Sequence, residues 1–298
     1  MAFDLNHAGR RCRVLGAASG LGFTDHGCAL APDRLRQAGS KLLLSAGGTL
    51  DWEGIIRVSD TVDGTPLGAV SRFNHRLAQR VDTVAQDSNL LTVIGGDHSI
   101  APGTWAGVRH ALGGPLGLIW IDAHPDAQTP ETTHTGNIHG MPLAALLGQG
   151  PGQLIDVLGD VPIVNPAHVI VIGVRAVEPE EMALLSKLGV RVVEMGKVVQ
   201  RGLASVLMEA VEIVTRGTAG FGISLDMDVI DPSAAPGVNK PVPGGILADG
   251  LIEVLRVVRR DVRLKAVEIV EFNPSLDRDG RTLHLLLNLL AALVSDVD

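Results

Sequence analysis

Short runs of Leu, Val, Ile and Ala recur at residues 90–94, 116–121, 169–172, 190–193, 222–225 and 264–270, each ending in a polar or glycine-rich cluster. None alternates apolar with polar positions, and that predicts strands buried on both faces. A shorter run at 14–16 predicts one more strand near the start. Between the runs, residues 72–86, 141–147, 179–188, 202–215 and 249–260 place apolar side chains at helical spacing. The last of these opens on Asp249, an expected N-cap. Strands alternating with helices predict an α/β fold with a mostly parallel sheet sandwiched between helices. No repeat, low-complexity tract or Pro/Ser-rich linker divides the chain, so one domain spanning 1–298 is expected. Residues 234–245 are rich in Pro and Gly but follow directly on an Asp-loaded strand end, which predicts a long ordered loop rather than a boundary.

Composition narrows the function. The hydrophobic fraction is 46%, yet aromatics make up 3% with no Tyr, so the interior must be packed mainly by aliphatic side chains. A net charge of −8 argues against nucleic acid, whose phosphates are bound by clustered Lys and Arg, and favours a small-molecule substrate. Cys12 and Cys28 are too few for a disulfide scaffold and too few for a structural zinc site. Residues 1–13 are polar and basic with no apolar core, and no apolar run is long enough to span a bilayer. A cytoplasmic protein with no membrane partner is expected.

In open parallel sheets ligands sit outside the carboxyl ends of the strands. Three such ends deliver His and Asp together: Gly95-Gly96-Asp97-His98-Ser99, then Asp122-Ala123-His124-Pro125-Asp126, then Asp226-Met227-Asp228. Alternate residues of an extended segment point to one side, so Asp122, His124 and Asp126 are expected to converge, as are Asp226 and Asp228. Four carboxylates and two imidazoles crowded together repel one another and resist desolvation unless cations sit among them. Six ligands exceed the usual three of a catalytic zinc site, and carboxylates can bridge two ions about 3.5–4 Å apart. Imidazole and carboxylate without thiolate favours Mn(II) over zinc, with Fe(II), Co(II) and Ni(II) open. Two such ions lower the pKa of a water between them, so hydrolysis is the expected reaction class. Gly95 and Gly96 are read as letting the backbone pass close to the metals, since no Walker lysine follows for a phosphate cradle.

GGDHS at 95–99, DAHPDAQTP at 122–130, TGNIHGMP at 135–142, SLDMDVIDPS at 224–233, PVPGG at 241–245 and EIVEFNPSLD at 268–277 together resemble the ureohydrolase superfamily, and the arginases within it. The resemblance implies a three-layer α/β/α fold, two Mn(II) ions and release of urea from a guanidino compound. It implies His98, Asp122, Asp126 and Asp226 as ligands of one ion and His124, Asp122, Asp226 and Asp228 as ligands of the other. His139 matches the proton-shuttling histidine, which suits a leaving amine that must be protonated near working pH. Glu271 matches the acid that holds the guanidinium, and Asp126 is also read as accepting a hydrogen bond from the nucleophile. Residues 129–137 resemble the loop that binds an amino acid's α-carboxylate, with Gln128, Thr135 and Asn137 as contacts. Glu178 and Glu181 align with an acidic pair near the α-amino group; helix N-terminal acids complementing the dipole are the alternative.

L-arginine hydrolysis to L-ornithine and urea is the expected activity, with another guanidino compound or a non-catalytic metal-binding homologue as alternatives. A trimer or hexamer is the oligomer the resemblance implies. Gln128, Thr135, Ala176 and Glu178 depart from the family pattern, and Lys240 stands where Thr is typical. Either Lys240 turns outward to solvent or the specificity has changed. His7, His26, His75, His110, His168 and His284 are expected to be structural or surface residues, and His134 to face solvent.

Overall fold

The computed structural model describes residues 11–45, 50–58, 64–87 and 89–294, with the side chains of 39–45 left out. His7 lies outside the described residues. In chain order the elements are β1 (Cys12–Ala18), α1 (Ala31–Ser45), β2 (Leu50–Arg57), α2 (Pro66–Val84), β3 (Leu90–Ile94), α3 (Ala101–Leu112), β4 (Leu116–Ile121), α4 (Pro142–Leu146) and α5 (Gly152–Ile155). They continue as β5 (Val169–Val174), α6 (Pro179–Leu188), β6 (Arg191–Glu194), α7 (Met195–Arg201), α8 (Leu203–Val214), β7 (Gly220–Asp226), α9 (Ala248–Val258), β8 (Leu264–Val270) and α10 (Arg281–Val294).

All eight strands form one sheet in the order β2-β1-β3-β8-β7-β4-β5-β6, and every neighbouring pair is parallel. Burial on both faces follows from the side-chain alternation of a strand. Ile119, Ile121, Ile170 and Ile172 join a core with residues of α7, α8, α9 and α10, while Leu118, Trp120, Val169 and Val171 join the opposite core with residues of α2, α3, α4 and α6. The expected three layers are therefore present. The four middle strands β3, β8, β7 and β4 end on one edge of the sheet; β3, β7 and β4 lead straight into the Asp- and His-bearing segments, and β8 leads into Glu271.

Helix α6 has the expected bounds, and the other predicted helices are displaced by a few residues. Asp249 is not the N-cap of α9: Leu247 holds that place in extended conformation, and Asp249 lies inside the first turn, where its charge still complements the dipole. No helix among the described residues is long and apolar enough to cross a membrane. The Pro- and Gly-rich stretch is an ordered loop. Arg175 donates to the carbonyls of Val242 (2.7 Å), Pro243 (3.2 Å) and Asp228 (2.8 Å), and Asp231 accepts from the amides of Gly244 (2.8 Å) and Gly245 (3.3 Å).

Candidate metal centre and substrate cleft

His98 enters from the turn after β3. Its ring stacks on Trp120 at 4.1 Å with an interplanar angle of 4°, and its Nε2 lies 3.0 Å from Ser224 Oγ. Ser224 in turn donates to Glu268 Oε2 at 2.7 Å, so its oxygen accepts from a protonated Nε2. That tautomer leaves a lone pair on Nδ1, aimed at Asp126 Oδ2 (3.0 Å), Asp226 Oδ2 (3.2 Å) and Asp122 Oδ2 (3.3 Å). Nδ1 is buried without a hydrogen-bond partner. An unshared pair facing three carboxylates at contact distance is untenable unless a cation sits among them, so these residues fit a metal ion. Without one, burial lowers the pKa of His98, and contacts with Asp122, Asp126 and Asp226 outweigh it and raise the group well above its ordinary value.

A second group adjoins the first. His124 Nδ1 lies 3.0 Å from Asp228 Oδ2 and 3.7 Å from Asp122 Oδ1, and the three residues have ligand atoms close enough to share an ion. Asp122 belongs to both groups; Asp226 groups with His98 through Oδ2, while its Oδ1 accepts the amide of Asp228 at 2.8 Å. Crowding shows in the titration. Burial and the charge of Asp122 push Asp228 up to about 6, and burial with the charges of Asp228 and Asp122 raises Asp226 well above the carboxylate range.

Backbone alternation brings together only part of this set. Asp126 reaches the cluster through a left-handed φ of 50°, not an extended segment, and Asp228 lies inside the 3-10 turn Met227–Val229 that Asp226 caps. Among the described residues Glu271 is the other non-glycine residue with positive φ, at 65°. Strain of this kind costs on the order of 1–3 kcal/mol and persists where surrounding contacts enforce it. For Glu271 the contacts are visible: its amide donates to Gly96 O (2.9 Å), and Oε1 accepts from the His98 amide (2.8 Å) and lies 3.0 Å from His139 Nδ1. Burial lowers the pKa of His139, but the Glu271 charge dominates and holds it at about 9, so the pair is ionic at neutral pH. Gly96 is small for a reason other than metal approach: a Cβ there would fall 1.5 Å from the Ser19 carbonyl oxygen, so it is the start of the chain that passes close.

A cleft of about 390 Å³ opens above the two groups, lined by His124, Asp126, Asp226, Asp228, His139 and Glu271 at its base. Gln128, Thr135, Asn137, Ala176, Glu178 and Glu181 also line it. Gln128 donates to Glu178 Oε2 at 2.8 Å and accepts from Thr132 at 2.7 Å. Glu178 and Glu181 form a capping box on α6, and Glu181 also accepts the Ala127 amide at 3.0 Å, so both of its oxygens are committed to backbone. Burial, reinforced by the charge of Asp126, lifts Glu181 to about 7. Glu181 thus serves as a helix N-terminal acid. Exposed His134 lies 3.3 Å from Glu178 at the rim.

Sequence reasoning missed several participants. Cys28 is buried with Sγ 3.6 Å from Glu271 Oε2 and accepts from Asn239 Nδ2 at 3.2 Å. Phe23 packs against His139 in a tilted arrangement, 4.5 Å between ring centroids and 40° between planes, and Trp120 donates to Asp122 at 3.0 Å. Ser224 and Glu268 interrupt apolar strands with polar groups; that signal was readable, since an acid in the middle of a parallel strand needs partners.

Comparison with known proteins agrees with this geometry. The Arginase family model matches residues 10–295. Arginase of Bacillus caldovelox is 35% identical, with 95% of this chain and 97% of that protein covered. The crystal structure of arginase from Bacillus subtilis superposes with a TM-score of 0.87 at 34% identity, covering 95% of this chain and 98% of that one. Arginase of Entamoeba histolytica, solved in complex with L-ornithine, gives 0.86 at 29% identity, covering 95% and 98%. With the family model spanning nearly every residue that carries the His and Asp clusters, this chain belongs to the arginase family.

Proposed function

We propose that the protein is a binuclear manganese hydrolase that cleaves the guanidino group of L-arginine to L-ornithine and urea. The observation carrying this reading is the lone pair of His98 Nδ1 turned on three carboxylates, beside a second His–Asp group that shares Asp122. His98, Asp122, Asp126 and Asp226 would hold one ion, and His124, Asp122 and Asp228, with Asp226 at the junction, the other. Ions bound there supply Lewis acidity and bring a water's pKa toward neutrality. The donor set, imidazole and carboxylate without thiolate, suits Mn(II).

The chain's own side chains do the rest. Glu271 has Oε1 occupied by the His98 amide and by His139, which leaves Oε2, beside the weakly donating Cys28 thiol, to accept a guanidinium N–H. His139, protonated at neutral pH and adjacent to Glu271, holds a proton on the side where an amine leaves. Asp126 faces the cleft from its left-handed turn and can orient the attacking water. Gln128 keeps one amide proton for a carboxylate after donating to Glu178, and Thr135 and Asn137 line the same wall. The chain would act as one catalytic domain in a cytoplasmic homo-oligomer, trimer or hexamer.

The test is urea release from purified protein loaded with Mn(II), with elemental analysis for two ions per chain and Asp126→Ala as control. No urea from L-arginine at any pH ends the substrate assignment.

A further inference from the structure

Lys240 does not turn away from the cleft. Among the described residues lining it, Lys240 is the one lysine or arginine, in a wall that also holds Asp126, Glu178, Glu181, Asp226, Asp228 and Glu271. Its backbone is pinned from both sides. On one side Val238 bridges to Phe272, and Asn239 donates to Cys28 Sγ at 3.2 Å while accepting from Asn273 Nδ2 at 2.7 Å. On the other, Arg175 grips the carbonyls of Val242 and Pro243.

The ammonium is guided as well. Nζ lies 5.4 Å over the Phe23 ring, whose other ring neighbour is His139 at 4.5 Å. Lys240 Nζ is therefore no farther from the His139 ring than those two distances laid end to end. An aromatic face attracts a cation but accepts no proper hydrogen bond, so the three N–H donors remain for an anion. No ion pair to Lys240 occurs among the described residues.

A cation at this place sorts substrates by their far end. Lys240 is exposed, whereas Glu271, the acceptor assigned to the guanidinium, is 4% exposed at the base. A guanidino compound seated with its cationic head on Glu271 directs its tail toward the mouth, where a carboxylate meets the ammonium and a bare amine is repelled. We propose that Lys240 is a specificity residue that receives the carboxylate of the substrate, so that the site prefers guanidino acids to guanidino amines. This rests on the hydrolase reading for the orientation of the substrate.

The test pairs ligands that differ only in the carboxylate: L-arginine against agmatine for urea release, and L-ornithine against putrescine for equilibrium binding by calorimetry. Wild type, Lys240→Met and Lys240→Arg are compared after Mn(II) loading, with thermal melting as the check on folding. A charge pair at partly screened distance predicts that Lys240→Met lowers the arginine-to-agmatine ratio of kcat/KM roughly tenfold. Lys240→Arg should keep that ratio within about twofold, and the ornithine preference in binding should fall in parallel. Raising ionic strength should narrow the gap between wild type and Lys240→Met. Ratios unaltered by Lys240→Met in both assays overturn the proposal, as does an absence of ornithine binding. Ornithine binding that depends on Lys240, without urea from any substrate, removes the hydrolase reading and leaves the carboxylate preference standing.

Discussion

Asp226→Asn separates stability from metal binding in opposite directions. In the metal-free protein Asp226 is 3% exposed, its Oδ2 lies 3.2 Å from His98 Nδ1, and burial with the charges of Asp228 and Asp122 raises its carboxyl well above the ordinary value. An asparagine keeps Oδ1 as acceptor for the Asp228 amide and removes the acid that is crowded by Asp228 and Asp122. Relieving the burial and like-charge crowding of that carboxyl should stabilise the metal-free fold by about 1–3 kcal/mol. At roughly 2–4 °C per kcal/mol for chains of somewhat smaller size, this is a rise of several degrees in Tm. The order must reverse with manganese. At a concentration about one hundred times Kd, each site stabilises wild type by about 2.7 kcal/mol, a gain that Asp226→Asn forfeits wholly or in large part. Calorimetric melts of both proteins, with chelator and with Mn(II), read all four values. If metal-free Asp226→Asn melts at or below metal-free wild type, the carboxylate cluster stores no repulsion and the central electrostatic argument fails.

Three further outcomes are expected. Gly96→Ala forces its Cβ against the Ser19 carbonyl, a backbone atom that cannot swing aside, so a loss of about 3 kcal/mol with reduced metal content is expected; wild-type melting and full ion stoichiometry would contradict the clash. His139→Gln should lower kcat for urea release by about 10²–10³ while retaining metal. In the metal-free protein the His139 proton is held to about 9, above its ordinary 6.5, so the stabilisation from its pairing with Glu271 is complete below 6.5 and lost as pH rises through 9. The Tm difference between wild type and His139→Gln should shrink across that window. Asp231, held at about 2 by Ser233 and the Gly244 and Gly245 amides, stabilises above 3.8 and ceases to do so as pH falls through 2; acid titration of Asp231→Ala against wild type should show the two melting curves converge there.

Much of the site was legible because it is built at strand ends. His98, Asp122, His124, Asp226 and Asp228 each follow an apolar run within a few positions, and the sheet fixes where such residues meet. What escaped depended on contacts distant in sequence or on elements without a readable period. Cys28 meets Glu271 across 243 positions, and Phe23 reaches His139 from the connection after β1. Strand β2 (LDWEGIIR) is a half-exposed edge that mixes charge and aliphatic residues. In α3 (APGTWAGVRHAL) the residues from Ala101 to Val108 are all buried, so no polar face marks it, and α10 (RTLHLLLNLLAALV) is apolar almost throughout. Lys240 was readable as an anomaly, but its direction was set by Phe23 and by anchors on both flanks, which only the fold assembles.

The site residues follow the four central strands, His98 after β3, Glu271 after β8, Asp226 at the end of β7 and Asp122 after β4, with β2 and β6 left at the margins. Amide protons of β3, β8, β7 and β4 should accordingly be the last to exchange with solvent, released only by global unfolding, whereas the margins open locally. Loss of a metal ion held there would then be gated by the loops above the sheet rather than by breathing of the platform, and the outer strands are free to diverge among descendants of this sequence without disturbing the chemistry.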